Sequence, residues 1–176
     1  MKHRTFRPES LWRWLRRRAT GAARVRHTAL WLRASPLAMF RRRLLGRTMD
    51  RAEIGQLGEL IAARWLAAHG RRVLYRNYRG VNRGEVDIVA RHRDVLTFVE
   101  VKTRTSTAFG RPADAVGPEK QRLIQRGAMD WLRLLGNPRI KFRFDIAEVV
   151  LIVGELPQIH VIENAFQMPD SSLAGR

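Results

Sequence analysis

One stretch constrains the fold more than any other. Residues 84–102 read Gly-Glu-Val-Asp-Ile-Val-Ala-Arg-His-Arg-Asp-Val-Leu-Thr-Phe-Val-Glu-Val-Lys. Two apolar, β-branched runs flank a polar turn, Arg91 to Asp94, which is the pattern of a β-hairpin. A two-residue loop at Arg93-Asp94 pairs His92 with Val95 and, further along, sets Asp87 opposite Glu100. Directly opposed Cβ atoms lie roughly 4.5–5.5 Å apart. Side chains alternate along a strand, so Glu100 and Lys102 share a face with each other and with Asp87.

Two carboxylates and an ammonium converging on an otherwise apolar hairpin need a physical account. A pair of unit charges about 4 Å apart repels by roughly 4 kcal/mol at an effective dielectric near 20. A hard divalent ion turns that repulsion into binding, using one or two carboxylates together with waters and phosphate oxygens. A lysine beside it can orient a water or stabilise charge developing on a phosphate. The competing account is an internal salt bridge in which Lys102 only neutralises two half-buried acids. Composition bears on the choice. The chain holds 30 Arg and only 4 Lys, and a lysine here points to a need for a compact amine rather than a planar fork.

The wider sequence resembles a known family. Asp87, twelve intervening residues and Glu100-Val101-Lys102 are similar to the motif of the PD-(D/E)xK nuclease superfamily. The string Gly55-Gln56-Leu57-Gly58-Glu59, Arg76-Asn77-Tyr78-Arg79, Gly84-Glu85-Val86-Asp87 and Phe98-Val99-Glu100-Val101-Lys102-Thr103-Arg104 resembles the YraN family of bacterial proteins over roughly residues 50–165. The resemblance implies a fold like that of archaeal Holliday-junction resolvases and Mg²⁺- or Mn²⁺-dependent cleavage of DNA, on branched or junction forms among others. It implies Asp87 and Glu100 as metal ligands, Glu59 as a third acidic ligand from the first helix, and Lys102 beside the attacking water. It also implies Gln121 as a helix glutamine near the metal, and a homodimer, the working form of junction resolvases. The alternative is a nucleic-acid-binding protein that keeps the nuclease fold without turnover.

With 176 residues, the chain suits one domain with a full core and a tail. There is no Cys, which excludes disulfide scaffolds and thiolate metal sites. No run of 18 apolar residues spans a bilayer, and a cytoplasmic location is expected. The net charge of +18 is unevenly placed: residues 1–48 hold 14 basic residues against Glu9 alone, and residues 49–176 carry only +5. Three readings of this basic arm stand open. It binds nucleic acid; it lies on a membrane surface, since Trp12, Trp14, Trp31 and several Leu interleave with Arg; or it is an Arg-rich leader absent from the working protein, Met49 standing just before the family-like part. Short amphipathic helices are expected at 10–18 and 37–46.

From residue 49 the pattern predicts an α/β domain in the order α-β-β-β-α-β-β. A central mixed β-sheet is flanked by helices, restriction-endonuclease-like, to residue 166, with a flexible tail over 167–176. Asp50 caps a helix running to about His69, with Gly70 as its stop and Ile54, Leu57, Ile61, Trp65 and Ala68 as its buried stripe. Glu59 sits off that stripe and reads equally as a solvated helix residue. Val73–Tyr78 is the first strand. Arg79 and Arg83 in the turn to Gly84 suit phosphate contacts, or form a plain basic edge. Residues 103–117 form a long loop, read as a substrate-contacting flap with Arg104 and Arg111 as further phosphate contacts. Pro118 opens a second helix to Leu135, buried through Ile124, Ala128, Trp131 and Leu135. Lys120 and Gln121 sit at its anion-favouring N-terminus. Ile140–Val153 and Ile159–Ile162 are the last strands. His3, His27, His69, His92 and His160 are scattered without ligand spacing, so a histidine-zinc site is not expected.

Overall fold

The structure, a computed structural model, describes residues 43–44, 47–106 and 116–169. The expected helix at 10–18 lies outside these residues. Of 37–46, residues 43–44 are described, and they are extended rather than helical: β1 (Arg43–Leu44) pairs antiparallel with β2 (Arg47–Thr48).

Helix α1 (Arg51–Ala68) starts where Asp50 accepts the Glu53 amide at 2.8 Å and Glu53 accepts the Asp50 amide at 3.0 Å. This reciprocal cap satisfies two donors that a helix start leaves open. Gly70, at φ 77°, turns the chain out after the C-cap His69. The buried stripe is rotated from the expected one. Ile54, Gly58, Ile61, Ala62, Ala63 and Leu66 are inside, while Trp65 sits at the margin, stacked on His69 at 3.7 Å. The small residues Gly58, Ala62 and Ala63 let the helix lie close to the sheet, a criterion that hydropathy alone does not register.

The sheet has the order β3-β4-β5-β6-β7, with β3 (Arg71–Arg79), β4 (Glu85–His92), β5 (Val95–Arg104), β6 (Phe142–Val150) and β7 (Gln158–Phe166). Only β5 and β6 run parallel, and α2 (Pro118–Leu134) is the crossover helix that such a pair requires. The sheet is therefore mixed and covered by a helix on each face. Phe98, Phe144, Val89 and Ile146 meet α2 through Ile124, Ala128, Trp131 and Leu132. Ile88, Val99, Ala147 and Val149 meet α1. All four residues expected to bury α2 do so. Two strands are longer than the sequence indicated: β3 begins at Arg71, with an irregularity between Val73 and Tyr75, and β7 continues to Phe166. Past β7, Met168 still packs on the α2-side core, and the Gln167 carbonyl accepts from Gln125 at 2.9 Å.

The β4–β5 hairpin has the expected register, His92↔Val95 through Ile88↔Val99, with Arg93 at φ 57° in its two-residue loop. Its turn end is pinned by charge. Fully buried Asp145 accepts from Arg71 Nη1 at 2.9 Å, Arg143 Nε at 2.9 Å and the Asn164 amide at 3.0 Å. Glu163 joins Arg71 and Arg143 on the exposed side. A buried carboxylate persists only with such partners.

Candidate functional site

At the other end of the hairpin the ladder gives way to side chains. One step beyond the Ile88↔Val99 pair, Asp87 Oδ2 accepts the Val101 amide at 2.8 Å. That bond fixes the Asp87 carboxylate against β5 beside Glu100. Glu100 itself is only 2 % exposed. Its Oε1 lies 3.0 Å from Lys102 Nζ and 3.3 Å from Lys120 Nζ, whereas its Oε2 is buried with no hydrogen-bond partner among the described residues. Burial first, and the Asp87 charge second, raise the Glu100 pKa above the ordinary carboxylate value, against the pull of Lys120 and Lys102.

Lys120 arrives from the first turn of α2 and also contacts Glu85, which Arg79 contacts from the exposed side. The scarcity that singled out Lys102 singles out Lys120 equally, since two of the four lysines meet at Glu100. From the sequence alone Lys120 stands only at an anion-favouring helix end; the acid-lysine contact is a product of the crossover.

Glu59 comes from α1. Burial first and the Asp87 charge next raise its pKa, opposed by a hydrogen bond with Asn77 and by Arg76 and Arg79. Its Oε2 is likewise buried without a partner. Asn77 has φ 54° in the middle of β3, between the pairs Arg76↔Ile88 and Tyr78↔Val86. A left-handed residue inside a strand is uncommon, and Asn is among the few types that tolerate it. Backbone strain of this kind collects at functional sites.

Asp87 is thus the charge felt by both Glu59 and Glu100, and the acids form a row with Asp87 at its centre. Among the described residues no three His, Cys, Asp or Glu side chains close into a ready metal cage. The row still suits a hard divalent ion. Two buried carboxylate oxygens, Glu59 Oε2 and Glu100 Oε2, have no hydrogen-bond partner among the described residues, and an ion that keeps several waters needs only one or two carboxylates.

The remaining sequence candidates are dispersed. Arg79 is 71 % exposed at its side chain and Arg83 is exposed in the β3–β4 turn with φ 56°. Arg104 is taken up by Glu148 at 2.7 Å on β6. Gln121 donates its amide to the Val116 carbonyl at 2.9 Å, fastening the entry to α2. Arg111 lies outside the described residues.

Close backbone approach holds the layers in place. A Cβ on Gly58 would collide with the Thr103 side chain of β5, and one on Gly84 with the backbone of Gly127 in α2. The β3–β4 turn is tied to α2 by Asp130, which accepts the Asn82 amide at 3.0 Å.

Comparison with known proteins places these residues in a family. Residues 58–149 match the profile of the Uncharacterised protein family UPF0102. A UPF0102 protein of Chlorobaculum parvum is 46% identical over 110 residues, covering 62% of this chain and 83% of the relative. One of Alkaliphilus metalliredigens is 42% identical over 113 residues, 64% of this chain and 96% of the relative. One of Bifidobacterium longum subsp. infantis is 42% identical over 123 residues, 68% of this chain and 98% of the relative. The matched span holds Glu59, Asp87, Glu100, Lys102 and Lys120, and the chain belongs to the UPF0102 family, the YraN family that its motifs resemble.

Proposed function

We propose that this protein cleaves phosphodiester bonds in DNA with the help of a divalent ion, Mg²⁺ or Mn²⁺. The observation that carries this reading is Glu100, buried beside Asp87 with one oxygen bound to two lysines and the other without a partner among the described residues. Asp87, Glu100 and Glu59 would hold the ion. When bound, it would stabilise negative charge on the phosphate and lower the pKa of a bound water. The residues do the rest by position. The Val101 amide locks Asp87 in one orientation, so little rotamer freedom is lost on binding. Lys102, held at 3.0 Å from Glu100, keeps its remaining N–H donors for a water or a phosphate oxygen. Glu100 itself is buried, which strengthens its interactions with the lysines.

A second reading has its own observation. Two ammonium groups on Glu100 Oε1 are also what a permanent salt-bridge cluster contains, and a protein built that way binds nucleic acid without cutting it. Incubation with labelled linear, flapped and four-way-junction DNA, with and without Mg²⁺ or Mn²⁺, separates the two. Asp87→Asn, Glu100→Gln and Lys102→Ala are each expected to abolish cleavage while leaving most DNA binding intact. Wild-type cleavage by any two of these variants, or no cleavage by the native chain with either ion, overturns the nuclease reading.

A further inference from the structure

A second feature of α2 lies away from the acid row. A cavity of about 550 Å³ is bordered by Asn82 of the β3–β4 turn, by Arg122, Arg126 and Met129 along the helix, and by Met168 beyond β7. Its acid, Asp130, is fully engaged: it accepts from the Asn82 amide at 3.0 Å, from the Asn82 side chain, and from Arg133 Nη1 at 2.8 Å. Arg122 and Arg126 are in a different state. Both are exposed and four residues apart on one helix face, and among the described residues neither is paired with an acid. Like charges at that spacing repel across a helix. A cavity with thioethers on its wall and two uncompensated guanidinium groups at its rim fits a ligand with a flat apolar body and an anionic end.

We propose that this cavity takes one unpaired nucleotide of a DNA strand, with its phosphate on Arg122 and Arg126 and its base against Met129 and Met168. The proposal rests on the nuclease reading for the identity of the polyanion. The volume is that of a small-ligand site. Guanidinium groups both bind phosphate bidentately and stack on bases. A base paired inside a duplex cannot enter a concavity, so the site favours strands with unpaired nucleotides, such as flaps and open junctions. Lys120 and Arg126 are six residues apart on α2, about 9 Å along its axis and about 240° around it, so the cavity arginines and the lysine that reaches Glu100 leave the helix on different faces.

The test uses the full chain in EDTA, where cleavage plays no part, and reads fluorescence anisotropy with a labelled oligothymidylate and a blunt duplex of equal length. The Arg122→Gln/Arg126→Gln variant is expected to lose about tenfold or more in affinity for the single strand and clearly less for the duplex. Its log–log salt slope on the single strand should fall by about 0.7, for the one phosphate that the two arginines share. Arg51→Gln/Arg64→Gln, two exposed arginines of α1, removes the same charge elsewhere and should leave the preference between the two DNA forms unchanged. An equal loss on both forms, no loss, or the same shift in preference from the α1 variant overturns the proposal. Native-like melting of each variant shows that the fold is intact, and the single Arg122→Gln change serves if the double variant melts early. A native chain that binds selectively but does not cut with metal would overturn the nuclease reading and leave this site standing.

Discussion

Glu100 is the residue at which function and stability oppose one another. Its folded pKa is raised above the ordinary carboxylate value of 4.5, so the folded state disfavours its ionised form. As pH rises through 4.5 and then through the raised value, the unfolded chain loses its proton first, and the fold is progressively destabilised. Glu100→Gln removes that dependence. It is expected to melt above the native protein at neutral pH in EDTA, with the gap closing near pH 4, while losing all cleavage; a lower melting temperature at pH 7 would show that the lysine pairs outweigh burial. A bound ion reverses the penalty. Millimolar Mg²⁺ or Mn²⁺ should raise the melting temperature of the native protein, with about 2.7 kcal/mol available at a hundredfold excess over the dissociation constant. Asp87→Asn should lose most of that rise. At this scale the sequence was legible where neighbours are local. The facing of Asp87 and Glu100 follows from a two-residue loop, whereas the Lys120 contact and the Glu59–Asn77 bond depend on helices docking from outside the hairpin, and pairing arithmetic has no access to them.

At the scale of elements, two glycines of α1 are expected to respond in opposite directions. A Cβ at Gly55 meets nothing within 4 Å, so Gly55→Ala should stabilise by about 0.5–1 kcal/mol through helix propensity. Gly58 faces the Thr103 side chain of β5, and Gly58→Ala should cost about 1–3 kcal/mol by overpacking. Urea unfolding of the two variants measures both, and a shared sign would mean that α1 is not seated on β5 as described. The elements themselves were legible because their signals are strong: the Asp50 cap, the Pro118 start and the Gly70 stop. What stayed hidden was the face of α1. Between Ile54, Ile61 and Leu66 its inner surface is made of Gly58, Ala62 and Ala63, small residues that allow close approach and carry little hydropathy, so Leu66 is inside where the larger Trp65 is only half-buried.

For the whole molecule, charge divides the chain: +13 lies in residues 1–48 and +5 in the remainder. If the first segment holds DNA, a chain starting at Met49 should bind more weakly, with a salt slope shallower by about 0.9 for each phosphate lost, and should keep metal-dependent cleavage at low salt. Titration of both forms at several salt concentrations measures this; equal slopes would assign the segment to something other than DNA. The two-layer cover of one mixed sheet was readable from element order, but the order β3-β4-β5-β6-β7 was not, since strand alternation says nothing about which strand a crossover rejoins. That crossover also sets a sequence in time. Asp87 and Glu100 come together as soon as a two-residue loop closes, an event of microseconds, whereas Lys120 can reach them only once α2 has docked on the sheet. The repulsion between the acids is therefore met early, with Lys102 of the hairpin as its first counter-charge, and is eased further when Lys120 arrives. Refolding should be fastest where those acids are protonated or already screened, and the ribosome, which releases the hairpin before the helix, presents the chain with the same delay.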